Sequence, residues 1–142
     1  MALVFLAGLV GGTAINLFLP VPVWPGIWIQ FVGLIPLAVG MLLFAWARRA
    51  FRRHQTSLMP WTPSSALVTD GPYSFSRNPI YLAFCVIYLG ASLFFNSAYI
   101  LVMLVVVFVL FDRTQIPREE RYLEEKFGEE FTTYKARVRR WI

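Results

Sequence analysis

Long apolar runs, separated by short polar stretches, dominate the pattern of the chain. Three runs without charge predict membrane-spanning helices: Ala2–Leu19, Gly26–Ala47 and Ile80–Phe111. The first two are about long enough to cross a bilayer, which takes about 20 residues. The third would be about 48 Å long as a single helix, whereas the hydrocarbon core is only about 30 Å thick. We therefore predict a hairpin of two short spans that turns at Asn96-Ser97.

Glycines and prolines within these runs predict where helices end or meet. Three prolines between positions 20 and 25 separate the first two spans, because proline cannot continue a helix. Gly8 and Gly12 form a small-xxx-small pair that lets another helix approach closely. We expect this pair to pack inside the protein's own bundle rather than at a dimer face. Gly33, Pro36 and Gly40 predict a kink or a close helix contact near Pro36.

The distribution of charge indicates the class of protein. The chain is 58% hydrophobic and 15% charged, whereas soluble proteins average about 25% charged residues. All charges lie in Arg48–Arg77 or Asp112–Arg140, next to apolar spans. The net charge of +5 therefore suits a cytoplasmic membrane face and anionic lipid heads rather than nucleic acid. Four spans then place both termini on the cytoplasmic side, in a single integral-membrane domain of residues 1–142.

The polar tail after the last apolar run has the pattern of an amphipathic helix. Its apolar positions repeat every three or four residues, and acidic and basic residues occupy the other side. Gly128 is a candidate break between two pieces. The tail could lie on the membrane surface and nothing more, or it could cap the polar loop before Ile80. We favour the cap, because Glu119-Glu120 begin the tail beside a basic membrane edge. The apolar positions are Leu123, Phe127, Phe131, Tyr134 and Val138.

The loop Gly71–Tyr81 is the most constrained polar stretch. Pro72 and Pro79 each fix φ and remove a backbone donor, so we predict a rigid surface loop with Pro79 as the first residue of a helix. The single cysteine, Cys85, lies in an apolar run and suits a buried packing role. His54, the only histidine, has no cysteine or carboxylate at metal-ligand spacing, so no metal site is predicted.

Two ordered blocks carry a resemblance to a known family. The region from about Leu67 to Ile142 resembles the integral-membrane methyltransferases, which include isoprenylcysteine carboxyl methyltransferases and phospholipid N-methyltransferases. Residues 1–47 resemble this family only in that they form two N-terminal spans. Residues 48–142 form the half of the chain that the resemblance implies is catalytic. The matching segments are Gly71-Pro72-Tyr73, Arg77-Asn78-Pro79-Ile80-Tyr81, Glu119-Glu120-Arg121-Tyr122-Leu123 and Phe127-Gly128-Glu129-Glu130-Phe131.

The resemblance implies S-adenosylmethionine as cofactor, with S-adenosylhomocysteine as product. The implied fold is all-α, with four transmembrane helices, a cytoplasmic loop and a C-terminal amphipathic helix that caps a cofactor pocket. Asn78 and Glu120 are the candidate catalytic residues, and Trp61 is an additional aromatic candidate for the sulfonium or the adenine. The implied cofactor-binding residues are Leu67, Gly71, Tyr73, Arg77, Asn78, Pro79, Tyr81, Glu119 and Glu120.

Asn78 departs from the family pattern, which usually has Arg-His-Pro where this chain has Arg77-Asn78-Pro79. Asparagine donates and accepts hydrogen bonds, but it does not take a proton near neutral pH. If the family histidine is a base, this protein replaces that base by another route. If the histidine only holds the cofactor, asparagine is an adequate replacement, and we favour this second interpretation.

The sequence does not identify the methyl acceptor, and it allows two alternative functions. The resemblance implies a lipophilic or lipidated acceptor from the bilayer, with a carboxylate, an amine or a thiol to methylate. One alternative is an NADPH-dependent membrane reductase of the sterol-reductase kind, although those proteins are much longer. The other is a non-catalytic small membrane protein, which the Arg-Asn-Pro departure supports.

Overall fold

The computed structural model describes residues 2–55 and 65–142, and these residues form helices joined by turns, with no strand among them. The four apolar helices are numbered α1 to α4, and α5 and α6 belong to the polar tail. A 3₁₀ turn precedes α3, and a π-helical turn joins α4 to α5. The bounds are α1 Ala2–Phe18, α2 Trp28–Arg53, the 3₁₀ turn Gly71–Ser74, α3 Pro79–Phe94, α4 Ala98–Leu110, the π turn Phe111–Gln115, α5 Ile116–Phe127 and α6 Glu129–Arg137.

Two stretches of the described chain are long and apolar enough to cross a membrane. They are Trp28–Arg53 and the continuous helical run Ala98–Phe127, and α1 and α3 are shorter apolar helices. Only 11% of the most apolar window of Trp28–Arg53 is buried, and 22% of that of Ala98–Phe127. The core helix of a soluble protein would be mostly buried, so this exposed apolar surface indicates a membrane protein.

Three glycines let α2 and α3 pack backbone against backbone. A Cβ atom added at Gly33 would lie 2.5 Å from the backbone nitrogen of Phe94, and one at Gly90 would lie 2.5 Å from that of Leu37. A Cβ at Gly40 would lie 2.9 Å from the nitrogen of Ile87. The predicted close helix contact near Pro36 is therefore confirmed, with α3 as the partner helix.

The small-residue pair of α1 also packs inside the protein's own bundle, as expected. A Cβ added at Gly8 would collide with the hydroxyl of Tyr88 on α3, and one at Gly12 would lie 3.1 Å from the side chain of Ile100 on α4. The Tyr88 hydroxyl donates a hydrogen bond to the carbonyl of Phe5, at 2.7 Å. Phe5, Tyr88 and Ile100 belong to the same buried cluster.

The hairpin turn between α3 and α4 lies at Asn96, as predicted. Asn96 has a φ of +47°, a conformation that asparagine tolerates better than most residues. Its Oδ1 accepts hydrogen bonds from the backbone nitrogens of Val23 and Trp24, and its Nδ2 donates to the Trp24 carbonyl at 2.9 Å. Ser97 caps α4 by accepting from the nitrogen of Ile100. One amide side chain thus joins the two turns at this end of the bundle.

One predicted boundary was wrong. The second apolar run was expected to end at Ala47, but α2 continues to Arg53, because arginine is a good helix former and its charged head can leave the apolar zone. The first helix of the tail, α5, contains Pro117 and continues without interruption from α4 through the π turn. Proline fits there because it is one of the first residues of α5. The predicted break at Gly128 is confirmed, with a φ of +51°.

Candidate functional site

The loop before α3 and the start of the tail meet through an ion pair. Nη2 of Arg77 lies 3.2 Å from Oε1 of Glu120, and both side chains are only 11% exposed. A buried ion pair is stable only when its geometry is good and its remaining hydrogen-bonding groups find partners. The predicted contact between loop and tail is therefore present, and it joins two residues that sequence reasoning assigned to the same site.

Arg77 has hydrogen-bonding capacity that the described residues do not use. Its Nε and Nη1 atoms are buried and have no hydrogen-bond partner within residues 2–55 and 65–142. A buried donor without a partner costs about 1–3 kcal/mol, and more when the group is charged. The two atoms lie on different edges of the guanidinium, and each is a charged donor that suits an oxygen of an anion. Arg77 is therefore the strongest candidate for contact with a ligand carboxylate.

The carboxylate of Glu120 also contacts a second arginine. Nη2 of Arg140 lies 2.7 Å from Oε2 of Glu120, and its Nε lies 3.3 Å from Oε1. Nη1 of Arg140 reaches Oδ1 of Asp112 at 3.4 Å. The same Asp112 oxygen accepts a hydrogen bond from Nε1 of Trp141 at 3.0 Å. Asp112 and Glu120 thus form an acidic cradle that holds the guanidinium of Arg140.

The π turn Phe111–Gln115 explains why Asp112 and Glu120 face the same arginine. In a regular α-helix, residues eight positions apart lie about 80° apart around the axis. A π turn has more residues per turn and takes up about that rotation, so the two carboxylates come to the same side. Such turns are frequent at functional sites.

Glu119 makes a separate polar contact beside this pair. Its Oε1 accepts hydrogen bonds from the Tyr81 hydroxyl at 2.8 Å and from Nε2 of Gln115 at 3.0 Å. Burial raises the pKa of the Glu119 carboxyl, and the bonds from Gln115 and Tyr81 partly oppose that rise. The ring of Tyr81 packs against Phe111, with 4.9 Å between centroids. Glu119 therefore links the start of α3 to the tail, as Glu120 links the loop to it.

Two buried tyrosines pack beside the loop. The Tyr134 hydroxyl donates to the carbonyl of Tyr73 at 2.8 Å, and the ring of Tyr73 meets Phe51 edge-on with centroids 5.4 Å apart. Burial raises the pKa of both phenols well above the usual range, so both stay protonated at physiological pH. They can donate a hydrogen bond but cannot act as phenolate bases.

The other predicted site residues are placed as follows. The Nδ2 atom of Asn78 donates to the carbonyl of Arg140 at 3.1 Å. Gly71 has a φ of +59°, and a Cβ there would lie 3.3 Å from Nε1 of Trp46, so it shapes the contact with α2. Pro79 begins α3, as predicted, and Leu67 is half-buried beside the loop. Trp61 lies outside the described residues.

The predicted pocket between loop and tail is not confirmed. One cavity of about 320 Å³ lies between α1 and Phe95, and another of about 310 Å³ is lined by Thr69, Ser74, Tyr134, Arg137 and Val138. Neither is lined by Arg77, Asn78 or Glu120. Beside the Arg77–Glu120 pair, the side chain of Arg140 contacts Glu120 and that of Trp141 contacts Asp112.

Sequence reasoning missed several residues of this cluster. Asp112 closes a charge-free run of 34 residues, 78–111, and that isolation was a usable signal. Gln115 stands one turn before Glu119, a spacing at which side chains meet on a helix. Arg140 and Trp141 lie in an irregular segment, and no spacing pattern marks them. Tyr134 was predicted only as an apolar position of the tail, and Arg140 only as one of several arginines that suit an acceptor carboxylate. The residues missed altogether are Asp112, Gln115 and Trp141.

The described chain is thus a helical membrane protein with a charged, largely buried cluster at one end of its apolar helices. A family model described as phospholipid methyltransferase matches residues 28–130. That match covers well over half of the chain, and the chain therefore belongs to the phospholipid methyltransferase family.

Individual relatives agree with this assignment. Protein-S-isoprenylcysteine O-methyltransferase B of Arabidopsis thaliana is 30% identical over 113 residues, which are 78% of this chain and 57% of that protein. The Saccharomyces cerevisiae protein-S-isoprenylcysteine O-methyltransferase is 39% identical over 72 residues, which are 51% of this chain and 30% of that protein. A Haemophilus influenzae protein of unassigned function is 36% identical over 63 residues, its whole length. The chain thus matches only part of the two named enzymes.

Proposed function

We propose that this protein is an S-adenosylmethionine-dependent methyltransferase that acts on a lipophilic acceptor at the membrane face carrying the Arg77–Glu120 pair. Membership of a methyltransferase family supports an enzyme of this class. The observation that carries the proposal is the pair of buried donor atoms on Arg77 that have no partner among the described residues, next to an acidic cradle. Such a pair of opposite charges suits a zwitterionic ligand.

The residues of the cluster fit the polar groups of the cofactor. The α-carboxylate could accept from Nε or Nη1 of Arg77, and Asn78 supplies a further donor. Glu120 suits the α-ammonium, and Glu119 suits a ribose hydroxyl or the ammonium. When bound, S-adenosylmethionine would supply an electrophilic methyl group on a positively charged sulfur. Tyr73 and Tyr81 present aromatic surfaces of the kind that attract such a cation.

The protein's own contribution would be alignment and the exclusion of water. Methyl transfer is an in-line displacement, and holding two reactants in line can lower a barrier by several kcal/mol. The buried rings of Tyr73, Tyr81, Phe111 and Tyr134 lie around the cluster and would limit the access of water. Asn78 acts in this scheme as a hydrogen-bond donor that holds the ligand, which matches its bond to the Arg140 carbonyl. No step requires Asn78 to take a proton.

The charge distribution supports a four-span topology with both termini in the cytoplasm. The described ends of the helices near Arg53, Arg77 and Asp112 carry charged residues, and the turns near Val23 and Asn96 carry none. This is the positive-inside pattern. The polar cofactor would enter from the cytoplasm, and the acceptor would approach sideways from the bilayer.

The acceptor class we propose is an isoprenylcysteine-type carboxylate or a lipid amine. Two relatives are named for isoprenylcysteine, and the matching family model is described for phospholipids. The tail carries exposed arginines that could receive an acceptor carboxylate, while Glu120 could assist loss of a proton from an amine.

Isothermal titration of the detergent-purified protein with S-adenosylhomocysteine tests the proposal. We expect saturable binding of one equivalent, and weaker binding to the Arg77→Gln variant. The matched control is Arg118→Gln, which removes an exposed arginine of α5 and should bind like the parent. NADPH binding without S-adenosylhomocysteine binding would instead favour the reductase alternative. Transfer of a labelled methyl group to a farnesylcysteine analogue or to phosphatidylethanolamine then separates the two acceptor classes.

A further inference from the structure

The segment that follows α6 crosses directly over the candidate site. We name residues Val138–Ile142 the strap. Val138 has extended backbone angles, with φ −116° and ψ 129°, and the strap forms no regular helix. It runs between the loop before α3 on one side and the acidic cradle of Asp112 and Glu120 on the other. Its conformation is therefore held by contacts with other segments rather than by its own backbone bonds.

On the loop side, the strap is held through its backbone carbonyls. The backbone nitrogen of Arg77 donates to the carbonyl of Arg139 at 2.9 Å. The carbonyl of Arg140 accepts from Nδ2 of Asn78 at 3.1 Å and, at 3.4 Å, from the Ser76 hydroxyl. The donor that the proposed function gives to the cofactor carboxylate is thus already used by the strap.

On the cradle side, the strap is held through two side chains. The guanidinium of Arg140 contacts both oxygens of Glu120 and one oxygen of Asp112. Trp141 donates to Asp112 and packs its ring on Phe108, with 4.8 Å between centroids. The Arg140 side chain is still 34% exposed, so water reaches it and its bonds can exchange without a large desolvation barrier.

With the strap in this position, the carboxylate of Glu120 is fully paired, whereas the guanidinium of Arg77 is not. Glu120 has two arginines, whereas Nε and Nη1 of Arg77 have no partner among the described residues. A ligand with a carboxylate and an ammonium would supply the missing anion to Arg77 and a replacement cation to Glu120. Because such a ligand carries no net charge, the cluster would become less positive by one charge when the ligand took the place of Arg140, while Arg77 and Glu120 would each keep an oppositely charged partner.

We propose that the strap is a built-in occupant of the cofactor site, and that the amino-acid end of the cofactor displaces Arg140 from Glu120 and opens the strap. Arg140 is in this view an internal substitute for the ligand ammonium, and Val138 is the point about which the strap moves. This inference rests on the proposed function. It adds that the apparent affinity of the site is lowered by the fraction of molecules in which the strap is closed.

The first test measures S-adenosylhomocysteine affinity by titration in three variants. Arg140→Ala should bind about tenfold or more tightly than the parent, as expected if the strap is closed in nine-tenths or more of the molecules. Arg140→Lys keeps the charge but loses the two-pronged contact, and should lie between the two. The matched control is Arg139→Gln, because the Arg139 side chain is exposed and forms no ion pair within the described ranges. It should bind like the parent.

The second test follows the strap itself, by ¹⁹F NMR of protein labelled with 5-fluorotryptophan. The resonance of Trp141 is the one that disappears in the Trp141→Phe variant. It should shift toward the solvent-exposed position when S-adenosylhomocysteine is added to the parent. It should already be shifted in Arg140→Ala without ligand, and should be unchanged in Arg139→Gln. The ligand-induced shift in the parent tests the strap even where Arg140→Ala folds poorly.

The outcomes separate the strap from the proposed function. If the parent binds S-adenosylhomocysteine but Arg140→Ala binds equally or more weakly, the strap is part of the binding wall and the inference is overturned, while the function stands. A Trp141 resonance that stays in place at saturating ligand overturns it as well. If neither the folded parent nor Arg140→Ala binds, the proposed function fails and the strap inference falls with it. Binding by Arg140→Ala alone supports both.

Discussion

The two ends of the helical bundle differ in how their polar groups are paired: a neutral amide does this at one end, and charged side chains do it at the other. At one end, Asn96 satisfies three backbone groups of the opposite turn and no charge is present. At the other end, two guanidinium groups and three carboxylates gather around Arg77 and Glu120, and two donor atoms of Arg77 find no partner in the described chain. A turn that only joins helices needs no more than the one amide side chain of Asn96. The costly and incompletely satisfied cluster is the end that calls for a ligand.

The largest effect is expected at the charged end, from removal of the Arg77 guanidinium. Arg77→Gln should weaken S-adenosylhomocysteine binding about 100-fold or more, because it deletes two charged hydrogen bonds, which at about 1.5 kcal/mol each already account for that factor. Its melting temperature in detergent should change little, since Glu120 keeps Arg140 as a partner. Titration and thermal unfolding of the same sample measure both quantities. Unchanged affinity would show that Arg77 serves only the fold.

The opposite substitution removes the satisfied polar group at the neutral end. Asn96→Ala should lower the free energy of unfolding by about 3 kcal/mol, because three hydrogen bonds of about 1 kcal/mol each are lost. Asn96→Gly keeps the positive φ accessible and isolates the hydrogen-bond part of the loss. Thermal unfolding measures the change, and cofactor affinity in the remaining folded protein should equal that of the parent. A selective loss of affinity would contradict the division between the two ends.

A third substitution lies between the two ends of the bundle and should lower both stability and cofactor affinity. Gly90→Ala places a Cβ 2.5 Å from the backbone nitrogen of Leu37, so α2 and α3 must move apart. Overpacking of this kind costs about 1–3 kcal/mol. We expect a lower melting temperature and, because α3 begins with the site residues Pro79 and Tyr81, a moderate loss of affinity. Gly11→Ala is the control, since a Cβ there meets nothing within 4 Å.

The neutral end was more predictable from sequence than the charged end. Asn96 stands between two apolar runs, so helix length and bilayer thickness alone predict a turn there. Gly71, Pro79 and the Glu119-Glu120 pair could be placed by local backbone rules and by their order in the chain. The contacts of Arg140 and Trp141 could not, because they depend on an irregular segment that folds back over the helices. That Asp112 and Glu120 lie on the same side of the helix could not be predicted either, because it depends on a π turn that no residue pattern marks.

The smallest expected effect concerns Glu119 and the pH dependence of stability. Burial is the main cause that raises the pKa of this carboxyl above its ordinary value of 4.5. Above pH 4.5 the folded protein therefore holds this proton more often than the unfolded chain does. The contribution of Glu119 to stability is thus greatest at low pH, and it is lost as the pH rises from 4.5 through the folded pKa.

Glu119→Gln keeps an oxygen that can accept from Tyr81 but cannot titrate. We expect the unfolding free energy of the parent, minus that of Glu119→Gln, to fall as the pH is raised from 4 to 8. Asn96→Ala is the matched control, because it changes the uncharged end and should keep the pH slope of the parent. Thermal unfolding across this pH range measures the three profiles. A difference that rises with pH would mean that the hydrogen bonds from Tyr81 and Gln115 outweigh burial, and Glu119 would then be a charged partner of the cluster throughout.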